Sequence, residues 1–303
     1  MVSSSTMQQP PICHPTTTAR WWSKDSIAIV TGANKGIGYA LVKRFAELGL
    51  TVVLTSRDQS RGLKAVDSLK VLGLDRNVYF CQLDISDQAS IRSFVSWFRS
   101  RFDAFDILVN NAAVCFNAMN SNSMDHAETV VKTNYYGSKL LTEAILPLSR
   151  PSNSAASITR ILNISSRLGT LDKLKNTKIK AILEDKERLS EDRIDMVVGV
   201  FLQDVKDGSW ERQGWPEIWT DYSVSKLALN AYSCVLARRY EGVVSVNCFC
   251  PGFTQTAMTD GQGKHSADDA AEMAATLALL PVSRLTTGKF YAGSTTRGMH
   301  SKL

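Results

Sequence analysis

Short apolar runs alternate along the chain with longer stretches in which apolar residues recur at helical spacing. The first run, 27–30, precedes a glycine-rich turn and an amphipathic stretch over 39–48. Runs rich in β-branched and aromatic residues then follow at 51–56, 78–83, 107–109, 158–164 and 244–250. Buried runs separated by helices are typical of a parallel sheet that is covered on both faces. The pattern therefore predicts an α/β fold with a doubly wound parallel sheet.

One segment, 167–221, does not continue this alternation and is predicted to be an insertion. Its first part is charged and has helical spacing, whereas its second part carries Trp210, Trp215 and Trp219. These indoles either wall a pocket for a flat apolar substrate or pack within a small core of the insertion itself. The sequence favours neither alternative.

The turn 31–38 connects the first apolar run to the first helical stretch. A glycine turn in this position lets the backbone approach a pyrophosphate and directs the amides of a helix N-terminus at the anion. The glycine spacing departs from the G-x-G-x-x-G fingerprint, so an ordinary strand–helix turn stays open as the alternative. The turn residues predicted to bind a dinucleotide are Gly32, Asn34, Lys35, Gly36, Ile37 and Gly38.

The end of the second run predicts which dinucleotide is used. A fold that binds NAD carries an acidic residue here for the ribose 2′-hydroxyl, but this chain has Ser56 and Arg57. Arg57 and Lys35 offer two cations for a 2′-phosphate, since a guanidinium can bind phosphate through two hydrogen bonds and an ammonium adds a point charge. These residues predict NADPH. The alternative is that both cations are solvated and that Asp58 accepts the ribose of NAD.

Polar and small residues follow the later runs, at the sheet edge where open α/β folds bind their ligands. Asp84 either binds adenine or caps a turn, and Asn111 and Ala112 either pack closely against a cofactor or form a simple turn. Thr254 and Thr256 carry hydroxyls that are predicted to bind the carboxamide of the cofactor.

Three further side chains are candidates for the chemistry itself. Ser165 and Ser166 end the run 158–164, which places two hydroxyls at the carboxyl edge of the sheet. Asn134 lies in the middle of a helical stretch. Its amide either satisfies the backbone or holds a water in a proton relay.

Tyr222 and Lys226 lie four residues apart at the start of a helical stretch. Residues at this spacing share one helical face, so the ammonium can stabilise a tyrosinate and bring a phenol with a pKa of about 10 closer to neutrality. The pair is therefore predicted to supply a general acid. Two other pairs have the same spacing, Tyr39 with Lys43 and Tyr135 with Lys139. Position favours Tyr222, because it lies between the serine-bearing run and the run 244–250.

Composition excludes several classes of function. The chain has 35 Lys+Arg against 29 Asp+Glu, a net charge of +6, without a block of like charges, so nucleic-acid binding is not expected. Six cysteines and four histidines show no zinc-ligand spacing, so a metal site is not expected. No apolar run has the length of a membrane span, and no apolar signal core follows the N-terminus, so we expect a protein that is neither secreted nor bound to a membrane.

The two ends of the chain carry different signals. Residues 1–20 are rich in Ser, Thr, Pro and Gln and are predicted to form a disordered leader before a single domain over 21–303. The last three residues, Ser301, Lys302 and Leu303, form the peroxisomal import address. We therefore expect the import receptor as a partner and the peroxisome as the location.

In their order along the chain, these motifs resemble those of the short-chain dehydrogenase/reductase family, over nearly everything from 26 to 291. The matching residues are the turn 31–38, Asp84, Asn110, Asn111, Ala112, Asn134, Ser166, Tyr222, Lys226, Pro251 and Gly252. The resemblance implies a Rossmann-type fold with a helical insertion before the tyrosine. It also implies cofactor contacts from Ile85, Pro251, Gly252, Tyr222 and Lys226.

The resemblance implies that Asn134, Ser166, Tyr222 and Lys226 form a catalytic tetrad. In the family, the serine hydroxyl polarises the substrate carbonyl and the tyrosine donates the proton. The lysine tunes the tyrosine and binds the nicotinamide ribose, and the asparagine holds a relay water. Of the two serines, Ser166 matches the placement in the family, and Ser165 is the fallback.

The long insertion, together with 34–35 and 55–58, is similar to the carbonyl-reductase-like subgroup that includes plant salutaridine and menthone reductases. That resemblance implies an NADPH enzyme that is typically monomeric, in which the insertion covers the helix surface that other members use to form tetramers. We therefore expect a monomer, or a hetero-oligomer with another member of the family, rather than a homotetramer.

The import signal changes the expected substrate, because plant peroxisomes shorten side chains as CoA thioesters. The resulting hypothesis is reduction of an aroyl-CoA, benzoyl-CoA, to the aldehyde by a subunit of a two-subunit enzyme. Two alternatives stay open: a stand-alone ketone or aldehyde reductase of terpenoid or alkaloid type, and a non-catalytic partner subunit.

Overall fold

The computed structural model describes residues 20–116, 123–151, 158–293 and 300–301. The predicted leader lies outside these ranges except for Arg20, and so do Lys302 and Leu303 of the predicted import signal. Within the described ranges, a helix of the length and apolar character needed to cross a membrane is not found.

A parallel sheet of seven strands forms the centre of the described structure, and a short eighth strand runs antiparallel at its edge. The strands are β1 Ile27–Val30, β2 Thr51–Ser56, β3 Val78–Gln82, β4 Ile107–Asn110, β5 Thr159–Ile164, β6 Val244–Cys250, β7 Lys289–Ala292 and β8 His300–Ser301. Their spatial order is β3-β2-β1-β4-β5-β6-β7-β8. The strand order reverses beside β1, which opens a ligand crevice at the carboxyl ends of β1 and β4. This sheet confirms the predicted fold class.

Helices connect the strands and cover both faces of the sheet. Those described are α1 Gly36–Glu47, α2 Gln59–Val71, α3 Gln88–Arg99, α4 Met124–Val131, α5 Ser138–Ile145, α6 Thr177–Glu184, α7 Glu191–Lys206, α8 Thr220–Arg239 and α9 Ala267–Ala278. On one face, α1, α2 and α9 bury residues such as Phe45 and Ala274. On the other face, α3, α4, α5, α7 and α8 bury residues such as Phe94 and Leu141. Each face therefore has its own apolar core.

The insertion contributes α6 and α7, and α7 packs against α4 and α8. Trp215 is only 1% exposed, its ring lies edge-on to Phe201 with centroids 5.2 Å apart, and its Nε1 donates to Asp204 at 2.8 Å. Trp210 is partly buried at the border of the same core. Two of the three indoles thus pack within the body of the protein, whereas Trp219 takes a different place.

A polar network attaches α7 to α5. The ammonium of Lys139 lies 2.8 Å from a carboxylate oxygen of Asp195 and 3.4 Å from one of Glu191. The hydroxyl of Tyr135 donates to the other oxygen of Asp195 at 2.7 Å. The Tyr135–Lys139 pair, which has the spacing of the candidate catalytic pair, therefore binds the insertion helix and lies apart from the crevice.

A π-helical segment, Lys132–Gly137, joins α4 to α5 without a break. A π turn closes hydrogen bonds from residue i to i+5 and so accommodates an extra residue, and such turns are frequent at functional sites. Gly137 is needed here, because a Cβ on it would lie 2.6 Å from the carbonyl oxygen of Ile85. Helical periodicity predicts a helix through Asn134, but it does not reveal this extra residue.

Candidate active site

The glycine turn is shaped by close backbone approaches that only glycine allows. Gly32 and Gly36 have φ of +60° and +57°, in the left-handed region that side chains disfavour. A Cβ on Gly32 would lie 2.8 Å from Cα of Ala112, and one on Gly38 would lie 2.5 Å from Nδ2 of Asn111. The turn thus packs directly against the residues that follow β4.

The N-terminus of α1 opens from this turn without a side-chain cap. Lys35 occupies the capping position in an extended conformation and accepts no hydrogen bond with its side chain. The first amides of α1 are therefore available to an anion, as a pyrophosphate site requires. The turn is braced from behind by Asn111, whose Nδ2 donates to the carbonyl oxygens of Thr31 and Gly32 at 2.8 and 3.1 Å.

The end of β2 carries exposed cations beside this turn. Neither Lys35 nor Arg57 forms an ion pair with any residue that the structure describes, and both are exposed. Asp58 caps α2 by accepting from the amide of Arg61 at 2.8 Å. The carboxylate that sequence reasoning left as an alternative ribose ligand is therefore engaged by its own helix.

An open cleft of about 360 Å³ lies next to the turn, and its lining includes the cations Lys35, Arg61 and Lys64. Sequence reasoning missed Arg61 and Lys64. The available signal is their position on the first two turns of α2, one and two helical turns beyond Arg57. The cleft concentrates positive charge where a phosphate of the cofactor is expected.

Asp84 and Ile85 follow β3 at the same edge of the sheet. The carboxylate of Asp84 accepts from the amide and the hydroxyl of Ser86 at 2.9 and 2.7 Å, so it stabilises the local turn. Ile85 is buried against Gly137. This arrangement corresponds to the turn-capping alternative for Asp84, and one of its two oxygens is not engaged in these bonds.

Tyr222, Ser166 and Lys226 meet at the carboxyl end of β5. The Ser166 hydroxyl faces the phenol of Tyr222 closely enough to lower its pKa, and its oxygen accepts from the amide of Leu168 at 3.1 Å. Ser165 points elsewhere, because its hydroxyl donates to Oδ1 of Asn230 at 2.6 Å. The geometry thus brings Ser166, rather than Ser165, to the tyrosine.

Lys226 lies one helical turn beyond Tyr222 on α8. Its ammonium donates to the carbonyl oxygen of Ile164 at 2.8 Å and lies 5.5 Å from the centroid of the Tyr222 ring. The lysine therefore lies between the end of β5 and the phenol, where it interacts with both.

Burial controls the electrostatics of this group. Burial raises the pKa of Tyr222, the nearby Cys250 and Cys115 thiols raise it further, and the Ser166 hydroxyl lowers it. Burial lowers the pKa of Lys226 to about 8. Desolvation thus favours the uncharged form of both groups in this structure, and the lowering of the Tyr222 pKa by Lys226 stays a prediction.

Asn134 lies in the π-helical segment, fully buried. Its Oδ1 accepts from the amide of Val114 at 2.8 Å, and its Nδ2 donates to the carbonyl oxygen of Val114 at 2.9 Å and to the hydroxyl of Ser225 at 3.0 Å. The amide therefore ties the loop after β4 to α8. This arrangement corresponds to the alternative in which the amide satisfies backbone groups. It also fixes the distance between the loop after β4 and α8.

The loop after β6 closes the other side of the crevice. Gly252 has φ of +80°, and Thr254 donates to its carbonyl oxygen at 3.2 Å. The Thr256 hydroxyl accepts from the amide of Met258 at 3.3 Å, and its methyl group would lie 3.5 Å from a Cβ on Gly36. Thr256 thus reaches across to the glycine turn, although both threonine hydroxyls also hold their own loop.

Trp219 is the third indole of the insertion, and it lies against Tyr222. The two rings meet edge to face with centroids 6.3 Å apart. Trp219 has φ of +45° and ψ of +59°, a left-handed conformation that bulky residues rarely adopt. Sequence reasoning named this tryptophan but had no means of separating it from the other two.

Comparisons with known proteins place this geometry in context. Residues 26–177 match the family model described as short chain dehydrogenase. The chain is 38% identical to a (+)-neomenthol dehydrogenase of Arabidopsis thaliana over 286 residues, which covers 88% of this chain and 95% of that protein. It is 39% identical to the salutaridine reductase of Papaver bracteatum over 299 residues, covering 88% and 94%. The solved structure of salutaridine reductase from Papaver somniferum superposes with a TM-score of 0.81 at 36% identity, covering 88% and 99%.

Proposed function

The chain belongs to the short-chain dehydrogenase/reductase family, and we propose that it is an NADPH-dependent carbonyl reductase of the peroxisome that reduces benzoyl-CoA to benzaldehyde. The observation that carries the proposal is the group of Ser166, Tyr222 and Lys226, which meets at the carboxyl edge of the sheet. The import tripeptide and the indole against Tyr222 support the choice of substrate.

The residues present fit a dinucleotide phosphate. The glycine turn has room for a pyrophosphate, the first amides of α1 are uncapped, and the cleft beside them carries several cations. Lys35 and Arg57 would hold the 2′-phosphate, whereas Asp58, which would favour NAD, caps α2. Bound NADPH would supply the hydride. The chain is 34% identical to a carbonyl reductase of Bos taurus that is named for NADPH.

The three polar side chains would divide the reaction among them. The Ser166 hydroxyl polarises the substrate carbonyl, and a positioned donor of this kind contributes about 10²–10³ in rate. Tyr222 donates the proton to the developing alkoxide, which contributes about 10²–10⁴. Burial keeps Tyr222 protonated, so the phenol is in the form that reduction requires. Lys226 positions the phenol and stabilises negative charge on it.

A thioester carbonyl can use the same donors. Hydride adds to the carbonyl carbon and Tyr222 supplies the proton, which yields a hemithioacetal. Its C–S bond then breaks, giving the aldehyde and the free thiol of CoA. The oxyanion that develops in the first step needs the same hydroxyl donors as a ketone, so no further residue is required.

The test is NADPH oxidation by the purified protein, alone and mixed with peroxisomal extract, against benzoyl-CoA, benzaldehyde and a cyclic ketone. Oxidation with the thioester, alone or with extract, is the expected result. The matched control is Tyr222→Phe, which should abolish turnover and leave NADPH binding nearly unchanged. If the protein reduces the ketone readily but no aroyl-CoA even with extract, the thioester proposal fails.

A stand-alone ketone or aldehyde reductase is the second candidate. It is favoured by the names of the relatives, a neomenthol dehydrogenase and a salutaridine reductase. Reduction of the cyclic ketone without extract is the outcome expected of this candidate. If Tyr222→Phe changes no measured activity, both candidates fail and a non-catalytic subunit is the remaining reading.

A further inference from the structure

The three tryptophans of the insertion differ in their burial and in their contacts. Trp215 is buried against Phe201 and donates to Asp204, and Trp210 is partly buried at the border of the core. Trp219 is half-buried, and its indole N–H has no hydrogen-bond partner among the described residues. Its ring contacts the phenol ring that lies at the centre of the proposed chemistry.

The backbone at Trp219 adopts an unfavourable left-handed conformation. Trp219 and Asp260 are the non-glycine residues with positive φ in the described chain. Residues held in such conformations cluster at active sites and persist only where surrounding contacts hold them. Two bonds do so here: the amide of Ser223 donates to the carbonyl oxygen of Trp219 at 2.7 Å, and its hydroxyl donates to that of Ile218 at 2.6 Å.

The consequence is a flat wall beside the catalytic phenol. Trp219 precedes α8 in a left-handed conformation, and its indole lies in edge-to-face contact with Tyr222 three residues later. The neighbouring Ile218 is 55% exposed, so the segment is not closed over by the rest of the described protein. A planar aromatic substrate could contact such a wall over its whole face, whereas a puckered ring of the same size could not.

We propose that Trp219 is a specificity-determining residue, which selects flat aromatic carbonyl compounds over saturated ones of similar size at the Tyr222 site. This inference rests on the proposed reductase function. It does not depend on whether the substrate is a thioester or a free aldehyde.

The experiment compares benzaldehyde with cyclohexanecarbaldehyde, which match in size but differ in flatness. The kcat/KM ratio of the two is measured for wild type, Trp219→Asn and Trp219→Phe. Asparagine tolerates the left-handed conformation and removes the ring, whereas phenylalanine keeps a ring. Trp210→Phe is the matched control, since it alters a tryptophan of the same insertion away from Tyr222.

Wild type should prefer benzaldehyde, and Trp219→Asn should reduce that preference about 3- to 10-fold, the range of one aromatic contact. Trp219→Phe should retain most of the preference, and Trp210→Phe all of it. NADPH affinity should be the same in all four proteins.

Two outcomes overturn the inference: no preference in wild type, or equal losses with both aldehydes in Trp219→Asn. Equal losses would mean that the indole only positions Tyr222. If wild type oxidises NADPH with neither aldehyde, and also with neither benzoyl-CoA nor a cyclic ketone, the proposed function fails instead. The ratio of the dissociation constants of the two aldehydes is then measured by equilibrium binding to wild type and Trp219→Asn, each loaded with NADP⁺. This ratio tests the selectivity of Trp219 independently of turnover.

Discussion

Lys226 combines a buried position with a charge that the reaction uses. Its ammonium bonds to the carbonyl oxygen of Ile164, and burial lowers its pKa to about 8. The side chain therefore loses its proton as pH rises through about 8. We expect kcat/KM for reduction to fall above that pH, measured as a pH–rate profile with NADPH in excess. A profile that stays flat to pH 10 in a protein still folded by circular dichroism would contradict this role.

The same pKa has an opposite effect on stability. The unfolded lysine titrates near 10.4, so between about pH 8 and 10.4 the unfolded state binds more protons and stability rises with pH. Below about pH 8 the folded protein bears the full cost of the buried ammonium. Lys226→Met should therefore be more stable than wild type at pH 7, by on the order of 2 kcal/mol after loss of the bond to Ile164. Denaturant unfolding at pH 7 and pH 10 should show the gain shrinking at the higher pH.

Arg57 is the residue on which cofactor selectivity should depend most. It is exposed at the end of β2 and has no carboxylate partner among the described residues. Arg57→Asp should lower kcat/KM with NADPH about 100-fold, the cost of one bidentate phosphate contact, and should raise the relative use of NADH. Lys64→Ala, which removes a cation that lines the cleft, is the graded control, with an expected loss below 10-fold. Equal use of both cofactors by wild type would refute the assignment.

For individual residues, the sequence predicts those that belong to a motif and misses those placed by tertiary contacts. Ser166 and Tyr222 follow from position in the chain, and the structure brings them together. Arg61 and Trp219 carry no motif, since each depends on how α2 or the insertion packs. The cap role of Asp58 depends on one hydrogen bond to α2, which spacing alone leaves open.

Among the elements, α7 is joined to α5 by the ion pairs of Lys139. Lys139 is 11% exposed at its side chain and faces both Asp195 and Glu191. Lys139→Met should cost about 2 kcal/mol of unfolding free energy, because it leaves Asp195 in a partly buried site without its cation, whereas Glu191 keeps its ion pair with Arg239. It should also speed limited proteolysis within the insertion. Lys180→Met, which removes an exposed ion pair with Glu184, should change stability by less than about 0.5 kcal/mol.

Strands and helices were predictable where their periodicity is strong. β1 to β6 lie where the apolar runs predict them, whereas β7, four residues long and beginning at Lys289, gives no such signal. The π-helical segment was not predictable, because one additional residue in a continuous helix hardly disturbs the pattern of apolar positions. Within this segment, Gly137 packs closely against Ile85, a tertiary contact that periodicity does not show.

For the molecule as a whole, the packing of α8 bears on the expected assembly. This helix is buried along most of its length by the sheet, α4 and α7, so it presents no free apolar face for a homotetramer. Its burial supports the expectation of a monomer, or of a complex with another member of the family through a different surface.

The location of the whole protein is testable without any structural change. A fluorescent protein fused before Met1 leaves the terminal Ser301-Lys302-Leu303 free, so we expect the fusion to be found in peroxisomes. A fusion placed after Leu303 hides the signal and should stay outside them. Identical distributions of the two fusions, examined by co-localisation with a peroxisomal marker, would contradict the import proposal.

The π-helical segment has a consequence for how such a protein can change over generations. Loss of one codon within 132–137 would let α4 and α5 continue as one regular helix, with better hydrogen bonds than a π turn provides. The same deletion would rotate the side chains on one side of the junction by about 100° and carry Asn134 away from Val114 and Ser225. A one-residue deletion here would therefore improve the helix and, at the same time, remove the connection that Asn134 makes between the loop after β4 and α8.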